Sequence, residues 1–434
     1  MSTIPAERDE TKFEDFKAPY TAHQARMEAE RCLYCEDAPC VKACPTSIDV
    51  PQFIRKITSG NLWGSARTIF SANILGMSCS RVCPVETSCV AACVHNEQAV
   101  APIQIGRLQR FVTDHAYESG WRYFEAGGSS GKSVALVGGG PASLAAAHEL
   151  RRKGHACTIY EKRRMLGGLN TTGIAPYKLR ADRATEEVEW VLGIGGVDIE
   201  TSTALGEDVS LEELEMKHDA VFIGIGLGED TFLSVTNEHL EGVHGAVEFI
   251  ERIKLGRVDL DGVGRALVIG GGNTALDAVR ELVGLGLDDV RLVYRGREEV
   301  KPGYAHEWEA AKMEGVRAHW QTQPIDYRGE GRVSGLRCVR TDEKKRAIDG
   351  SERTLDADLI LLALGQETLG SLVASAEGIE IDGGCVRIDD NGATGRPGVF
   401  AGGDCTNGGK EVVNAAFEGK RAAEAIDRYL MGEK

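Results

Sequence analysis

The chain has 434 residues, of which 42% are hydrophobic and 53 are glycine, and its formal net charge is −16 at pH 7. These values suit a globular enzyme of two or three domains, and the acidic charge argues against a nucleic-acid or anionic-membrane partner. The polar N-terminus lacks the plan of a secretory signal, and no apolar run approaches the roughly 18 to 20 residues of a membrane helix. We therefore expect a cytoplasmic protein with reduced thiols and with no membrane or nucleic-acid partner.

Eight of the twelve cysteines form two groups in the first hundred residues, C-x2-C-x4-C-x3-C-P and C-x3-C-P-x4-C-x3-C. Zinc favours paired Cys-x2-Cys knuckles, a form that only Cys32 and Cys35 show. In ferredoxin-like runs a cysteine before proline ligates the other of two clusters, and Cys44 and Cys83 both precede proline. The spacing favours iron–sulfur clusters, with zinc and structural thiols as alternatives. The complete set is Cys32, Cys35, Cys40 and Cys44, then Cys79, Cys83, Cys89 and Cys93.

Helix-like apolar spacing in segments 49–74 and 105–120 predicts that residues 1–125 form a small helical cluster-binding domain. A Gly/Ser-rich link, EAGGSSGK, follows it. The other four cysteines stand singly and are interpreted as buried small residues; they are Cys157, Cys338, Cys385 and Cys405.

A strand, a glycine turn, a helix and a second strand follow the link. Gly138 permits the tight turn, Gly140 lets backbone approach a pyrophosphate, and the small Ser143 allows close helix–strand packing. The helix N-terminus then faces the phosphates, and Glu161 at the end of the second strand would bind ribose hydroxyls. A glycine-rich turn alone is weak evidence, but the complete order predicts a dinucleotide site. Gly168 suits a second backbone approach.

The same pattern returns at residues 264–298 with Gly270, Gly272 and Ala275, which predicts a second dinucleotide; a decayed repeat that binds nothing is the alternative. Here the second strand ends near Arg295 and Arg297 instead of an acid. A cation at this place favours the 2′-phosphate of NADPH, while NADH usually meets a carboxylate. Either arginine could instead pair with Glu298 or Glu299.

A third landmark, GVFAGGDCTNGG, places Gly403 and Asp404 between a strand and an amphipathic helix. This arrangement directs a carboxylate and a helix N-terminus toward one ligand. An ordinary turn with a capping Asp404 is the alternative.

Together these motifs resemble the flavoprotein reductases in which one dinucleotide fold holds FAD and an inserted second fold holds NAD(P)H. With the cysteine groups, the whole chain resembles glutamate synthase small subunits and the N-terminal half of dihydropyrimidine dehydrogenases. The resemblance implies an α/β two-dinucleotide-binding-domain flavoprotein reductase fold with an N-terminal all-α iron–sulfur domain. Its domains would be 1–125 for two 4Fe-4S clusters, 131–245 plus 362–434 for FAD, and 246–361 for NAD(P).

The resemblance also implies site residues. One cluster would be held by Cys32, Cys35, Cys40 and Cys93, and the other by Cys44, Cys83, Cys89 and Gln109. FAD would contact Gly138, Gly140, Pro141, Ala142, Ser143, Glu161, Lys162, Gly168, Leu169, Lys178, Gly403, Asp404 and Val412. NAD(P) would contact Gly270, Gly271, Gly272, Asn273, Thr274, Arg295, Arg297 and Gly365. Spacing alone would select Cys79 as a ligand in place of Gln109.

Gln109 separates the two resembling families. Dihydropyrimidine dehydrogenases carry a glutamine ligand at this place, whereas glutamate synthase small subunits tend to carry glutamate. The resemblance thus implies an NAD(P)H-oxidising subunit of dihydropyrimidine dehydrogenase, in a hetero-oligomer, a heterotetramer, with an FMN and iron–sulfur subunit that reduces uracil or thymine. The alternatives are a glutamate synthase small subunit and a non-enzymatic, cluster-bearing scaffold.

Overall fold

The computed structural model describes residues 4–432, in which an all-helical unit precedes two α/β units. The helical unit comprises α1 Ala22–Glu30, α2 Pro39–Lys42, α3 Val50–Thr58, α4 Leu62–Ala72, α5 Gly76–Val82 and α6 Ile105–Glu118, with 3-10 helices Asp9–Lys12, Val85–Thr87 and Val94–Gln98. Thr21, Asp49 and Asn61 begin α1, α3 and α4 by accepting backbone N–H groups, as capping residues do. The fully buried Phe53 and Leu108 lie in the core of this unit.

The α/β part begins at residue 133 and continues to the end of the described chain. Its first stretch is β1 Ser133–Val137, α7 Pro141–Arg152, β2 Ala156–Glu161, α8 Leu169–Thr172, α9 Ala181–Leu192, β3 Val197–Thr201, α10 Leu211–Lys217, β4 Ala220–Ile223 and β5 Leu227–Asp230. Next come β6 Val243–Gly245, α11 Ala246–Leu255, β7 Arg265–Ile269, α12 Asn273–Gly284, β8 Asp289–Val293, α13 Ala305–Met313, β9 Arg317–His319, β10 Thr322–Glu330, β11 Arg332–Arg340, β12 Arg353–Asp356 and β13 Leu359–Leu362. The last are β14 Gln366–Thr368, β15 Ile381–Asp382, β16 Cys385–Val386, β17 Val399–Ala401, α14 Asp404–Asn407 and α15 Val412–Met431. Two further 3-10 helices are Glu298–Val300 and Gly370–Leu372.

The first parallel sheet has the order β17-β4-β1-β2-β3. Its central strands are apolar throughout because both faces are covered, which is typical of parallel sheets. Leu136 of β1 and Phe222 of β4 are fully buried, and α7 packs closely against α15 over this sheet. This sheet places the ends of four strands along one edge.

The second parallel sheet, β6-β13-β7-β8-β9, is inserted between β4 and β17 of the first. A three-stranded antiparallel sheet, β10-β11-β12, adjoins it. Strands β5 and β14, which lie in the two chain segments that connect the folds, pair with each other. Strand β6 at Val243–Gly245 lies just before the predicted boundary at 246, and β13 ends at Leu362, just past the boundary at 361. Both strands belong to the second sheet because they hydrogen-bond within it. The outer limits 1 and 434 lie outside the described residues.

The N-terminal segment, residues 5–20, touches all three units. Asp9 N donates to Gly256 O over 2.8 Å beside the second sheet, and the buried carboxylate of Glu10 accepts from Ala181 N at 2.9 Å in the first α/β unit. Further contacts join Phe13 to Gly284, Phe16 to Tyr177, Lys17 to Cys83 and Arg107 to Ala18. The segment thus joins the helical unit to both dinucleotide folds.

Among residues 4–432, none of the helices combines the length and the apolar character needed to cross a membrane.

Candidate functional site

A cavity of about 650 Å³ opens where β1, β2, β4 and β17 end. Ligands of doubly wound sheets bind at this edge, beyond the carboxyl ends of the strands. Of the predicted FAD residues, the lining includes Gly138, Gly140, Pro141, Ala142, Glu161, Lys162, Gly168, Leu169, Lys178, Gly403, Asp404 and Val412. The exception is Ser143, which is fully buried against Gly224 and lies outside the lining.

The first glycine turn has the geometry of a phosphate cradle. Gly138 has φ +92°, and a Cβ at this position would lie 2.5 Å from Gly224 O, so only glycine fits. Gly140 precedes α7 without a side-chain cap, which leaves the first N–H groups of the helix for an anion. A Cβ on Gly140 would have Gly168 Cα as its nearest neighbour, at 4.0 Å, so the two predicted backbone approaches face one space.

Glu161 is held in place by backbone donors at the end of β2. Its Oε2 accepts from Gly139 N at 2.6 Å and its Oε1 from Arg163 N at 2.7 Å. The carboxylate therefore lies beside the glycine turn, where the ribose of a dinucleotide would bind.

On the far side, Asp404 begins α14 and Val412 begins α15. Asp404 Oδ1 accepts from Lys410 N at 3.1 Å, and burial raises the pKa of this carboxyl group. The bond closes the loop between the two helices, so Asp404 both orders the loop and borders the cavity.

Lys178 lies between the two dinucleotide folds. Its Nζ pairs with Asp277 Oδ1 of α12 at 2.7 Å and with Glu307 Oε1 of α13 at 2.6 Å. Burial alone would lower the pKa of Lys178, but these two carboxylates raise it above its usual range. The sequence does not predict a role for either acid, and no local signal marks them, because both lie in the second fold.

The second glycine motif begins α12, and of its predicted residues Asn273 lines the cavity. Asn273 Oδ1 accepts from Tyr304 N at 3.0 Å, and Tyr304 also lines the cavity. The remaining predicted NAD(P) residues are outside its lining: Gly270, Gly271, Gly272, Thr274, Arg295, Arg297 and Gly365. The helix that follows the motif thus begins at the cavity, while most of the motif faces away from it.

Both predicted arginines are exposed. Arg297 Nη1 pairs with Glu343 Oε1 at 3.0 Å in the turn after β11. Glu298 Oε1 instead accepts from Trp308 and pairs with Lys312. Among the described residues, Arg297 therefore pairs with Glu343 and not with Glu298.

Cys32, Cys35, Cys40 and Cys93 line one small cavity of the helical unit. Burial raises the pKa of Cys40 to about 12, and the neighbouring thiols of Cys32, Cys89 and Cys93 add to the effect. Four thiols around one cavity are a donor set that fits an iron–sulfur cluster. Within residues 4–432 no three His, Cys, Asp or Glu side chains converge tightly enough for a single metal ion.

Cys44, Cys83 and Cys89 form a second group. Burial and, after it, the thiols of Cys83 and Cys44 raise the pKa of Cys89 to about 12. Cys83 directly follows Val82, which lines the large cavity. The second group therefore borders the predicted FAD site.

The two candidates for the fourth ligand are Gln109 of α6, whose side chain contacts α5, and Cys79 of α5. Gln109 is buried and its Nε2 donates to Gly76 O at 2.8 Å, which leaves Oε1 as the acceptor atom of the amide. Cys79 is also buried, and its Sγ accepts from Asn73 Nδ2 at 3.2 Å.

Of the four single cysteines, Cys157, Cys338 and Cys405 are buried as predicted. The prediction is wrong for Cys385, which is half-buried because its strand β16 belongs to a two-stranded hairpin.

Comparisons with known proteins show which families share this architecture. Residues 9–121 match the model of dihydropyrimidine dehydrogenase domain II, 4Fe-4S cluster, and residues 132–419 match that of pyridine nucleotide-disulphide oxidoreductases. The glutamate synthase [NADPH] small chain of Escherichia coli is 33% identical over 447 residues, 96% of this chain and 94% of that protein. The NAD-dependent dihydropyrimidine dehydrogenase subunit PreT of Escherichia coli is 37% identical over 413 residues, 95% of this chain and 96% of that protein.

The chain belongs to this FAD and 4Fe-4S oxidoreductase family. As a member, it is an NAD(P)H-dependent electron-transfer enzyme subunit with an FAD-binding reductase fold and a 4Fe-4S domain. Neither the zinc alternative nor the non-enzymatic scaffold agrees with this membership.

Solved structures support the same fold for the reductase part of this family member. Thioredoxin reductase of T. acidophilum covers 68% of this chain and 98% of its own, with a TM-score of 0.55 and 19% identity. Mycobacterium tuberculosis FprA in complex with NADPH covers 69% of this chain and 85% of its own, with a TM-score of 0.56 and 21% identity.

Proposed function

We propose that this chain is the electron-input subunit of a dihydropyrimidine dehydrogenase. It would oxidise NAD(P)H and pass the electrons through FAD and two 4Fe-4S clusters to an FMN-containing partner subunit. The partner would reduce uracil or thymine to the 5,6-dihydropyrimidine, reversibly.

The observation that carries this proposal is Gln109. The side chain extends from α6 and is buried against α5, the helix that Cys83 directly follows, and its amide nitrogen donates to Gly76 O. The remaining Oε1 is the atom that a glutamine ligand would offer to a cluster. The relative PreT, an NAD-dependent dihydropyrimidine dehydrogenase subunit that matches 95% of this chain, supports the same proposal.

The residues of this chain bind and align the cofactors. The turn at Gly138 and Gly140 would hold the FAD pyrophosphate, and α12, which begins at Asn273, would direct NAD(P)H toward the same cavity. A flavin accepts two electrons as hydride and can release them singly. Cys83 lies beside the cavity, so we assign the second cluster to Cys44, Cys83, Cys89 and Gln109 and the first to Cys32, Cys35, Cys40 and Cys93.

A glutamate synthase small chain is the second candidate, because a relative of that name is 33% identical over 96% of this chain. In that case the partner would be a large glutamine-using subunit, and electrons would reduce the product formed from glutamine and 2-oxoglutarate.

The deciding experiment is copurification of the chain with its native partner, followed by iron, sulfide and flavin analysis. We expect FAD, FMN, and oxidation of NADH or NADPH that depends on uracil. Oxidation that depends on glutamine and 2-oxoglutarate, with no response to uracil, would contradict the dihydropyrimidine dehydrogenase assignment. It would support the second candidate.

A further inference from the structure

Lys17, in the N-terminal segment, directs its ammonium group at the cysteine group beside the FAD cavity. Its Nζ donates to Cys83 O over 2.8 Å. Cys83 belongs to that cysteine group, so the ammonium group lies beside it. In the described part of the chain no carboxylate forms an ion pair with Lys17 within 4.0 Å, so no such pair neutralises its charge.

The backbone around Lys17 is held on both sides. Phe16 N donates to Tyr177 O at 2.8 Å, and Arg107 Nη2 donates to Ala18 O at 3.1 Å. Arg110 donates to the carbonyl of Lys17 itself. These bonds anchor the segment to the FAD fold and to α6, so the ammonium group has a fixed place.

A fixed cation at this position affects how readily the nearby cluster is reduced. Reduction adds a negative charge to a cluster whose thiolate ligands are already negative, and a fixed cation stabilises that added charge. No bond forms or breaks at Lys17. A cation here acts on the cluster nearest the flavin, since Val82, the neighbour of Cys83, lines the FAD cavity.

We propose that Lys17 is a positioning residue for electron transfer, whose ammonium group raises the reduction potential of the cluster held by Cys44, Cys83 and Cys89. This inference rests on the cluster assignment made above.

The test is an EPR-monitored redox titration of the holoprotein carrying Lys17→Met, which removes the charge while keeping the length of the side chain. We expect the equilibrium constant for reduction of one cluster to fall at least tenfold, about 59 mV for a one-electron couple. The other cluster, the FAD content and the oxidation of NAD(P)H by ferricyanide should stay as in the wild type. Lys17→Arg should restore the potential, because it keeps the charge.

Lys420 provides a matched control, because its Nζ also donates to a backbone carbonyl, Ser71 O at 2.8 Å, away from the cysteines. Lys420→Met should leave both potentials unchanged. Unchanged potentials in an iron-replete Lys17→Met protein would overturn the proposal, and so would an equal shift in Lys420→Met. If Lys17→Met loses iron, Lys17→Gln keeps an N–H donor without the charge, and wild-type potentials in that variant would overturn the proposal. Absence of iron from the wild type would instead refute the cluster assignment.

Discussion

At the scale of single residues, the cofactor sites depend on a few side chains whose neighbours set their chemistry. Glu161 is fixed by two backbone N–H donors, and Lys178 by two carboxylates of the other fold. Two predictions at this scale concern Gln109, a candidate cluster ligand, and Arg295, a candidate contact of the nicotinamide dinucleotide.

The first prediction tests the fourth ligand of the second cluster. Gln109→Ala should abolish or alter the EPR signal of one cluster, because Oε1 is lost, while FAD content and NAD(P)H oxidation by an artificial acceptor stay largely intact. Cys79→Ala, at the other candidate ligand, is the matched control, and both clusters should survive it. The reverse pattern would make Cys79 the ligand, and loss of FAD in Gln109→Ala would count against the proposed role.

The second prediction concerns the choice of nicotinamide. If Arg295 binds a 2′-phosphate, Arg295→Ala should raise KM for NADPH about tenfold, a loss of about 1.4 kcal/mol, with KM for NADH nearly unchanged. Arg297→Ala should have the smaller effect, because Arg297 already pairs with Glu343 at 3.0 Å. Steady-state kinetics with each nicotinamide measures both. Equal losses with NADH and NADPH would exclude a 2′-phosphate role for Arg295.

At the scale of elements, the FAD site depends on the contact between α7 and α15. Gly419 of α15 faces the backbone of Ala142 in α7, and a Cβ at Gly419 would overlap the carbonyl oxygen of Ala142. Because α7 begins at the phosphate-binding turn, the separation of these helices positions the turn.

Gly419→Ala is therefore expected to force the two helices apart. We expect this overpacking to lower the free energy of unfolding by about 1–3 kcal/mol. The variant should therefore have a lower melting temperature and a reduced FAD content. Gly128→Ala is the control, because a Cβ there would meet nothing within 4 Å. Full FAD content and an unchanged melting temperature in Gly419→Ala would contradict the close contact.

At the scale of the whole molecule, buried polar contacts fasten the helical unit to the reductase. Glu187 of α9 accepts from Met77 N and Ser78 N, each at 3.1 Å, and from the Ser78 hydroxyl group. This carboxyl group satisfies the N-terminus of α5, the helix that leads to Cys83. The docking of the two units therefore includes one buried acid.

The pH dependence of stability should reveal this acid. Burial raises the pKa of Glu187 from 4.5 to about 7. Between these values the folded protein binds a proton that the unfolded chain releases, so the free energy of unfolding falls as pH rises from 4.5 to 7, by about 3 kcal/mol.

Glu187→Gln should remove this contribution, since the amide is neutral at every pH. Melting temperatures measured between pH 5 and 8 should fall more steeply for the wild type than for the variant. Glu186→Gln, the half-exposed neighbour that pairs with Arg183, should follow the wild type. Parallel curves for the wild type and Glu187→Gln would show that burial does not raise the pKa of Glu187.

Much of the fold and part of the site could be predicted from local patterns. Turn glycines such as Gly138 and the acid Glu161 at the end of β2 belong to a motif of a few residues, so the chain itself displays them. The cysteine spacing indicates clusters for the same reason. The motif also predicts close helix–strand packing at Ser143, which is fully buried against Gly224.

The sequence by itself determined the kinds of cofactor and the order of the units, because glycine turns, hydrophobic periodicity and cysteine spacing are local properties. Only the tertiary structure brought Cys93 to the cavity of Cys32, paired Lys178 with Asp277, and placed Lys17 on the carbonyl of Cys83. These contacts join residues that are far apart in the chain, and they depend on how the sheets and helices pack. No local pattern encodes the packing of distant elements, so the structure is needed to show these contacts.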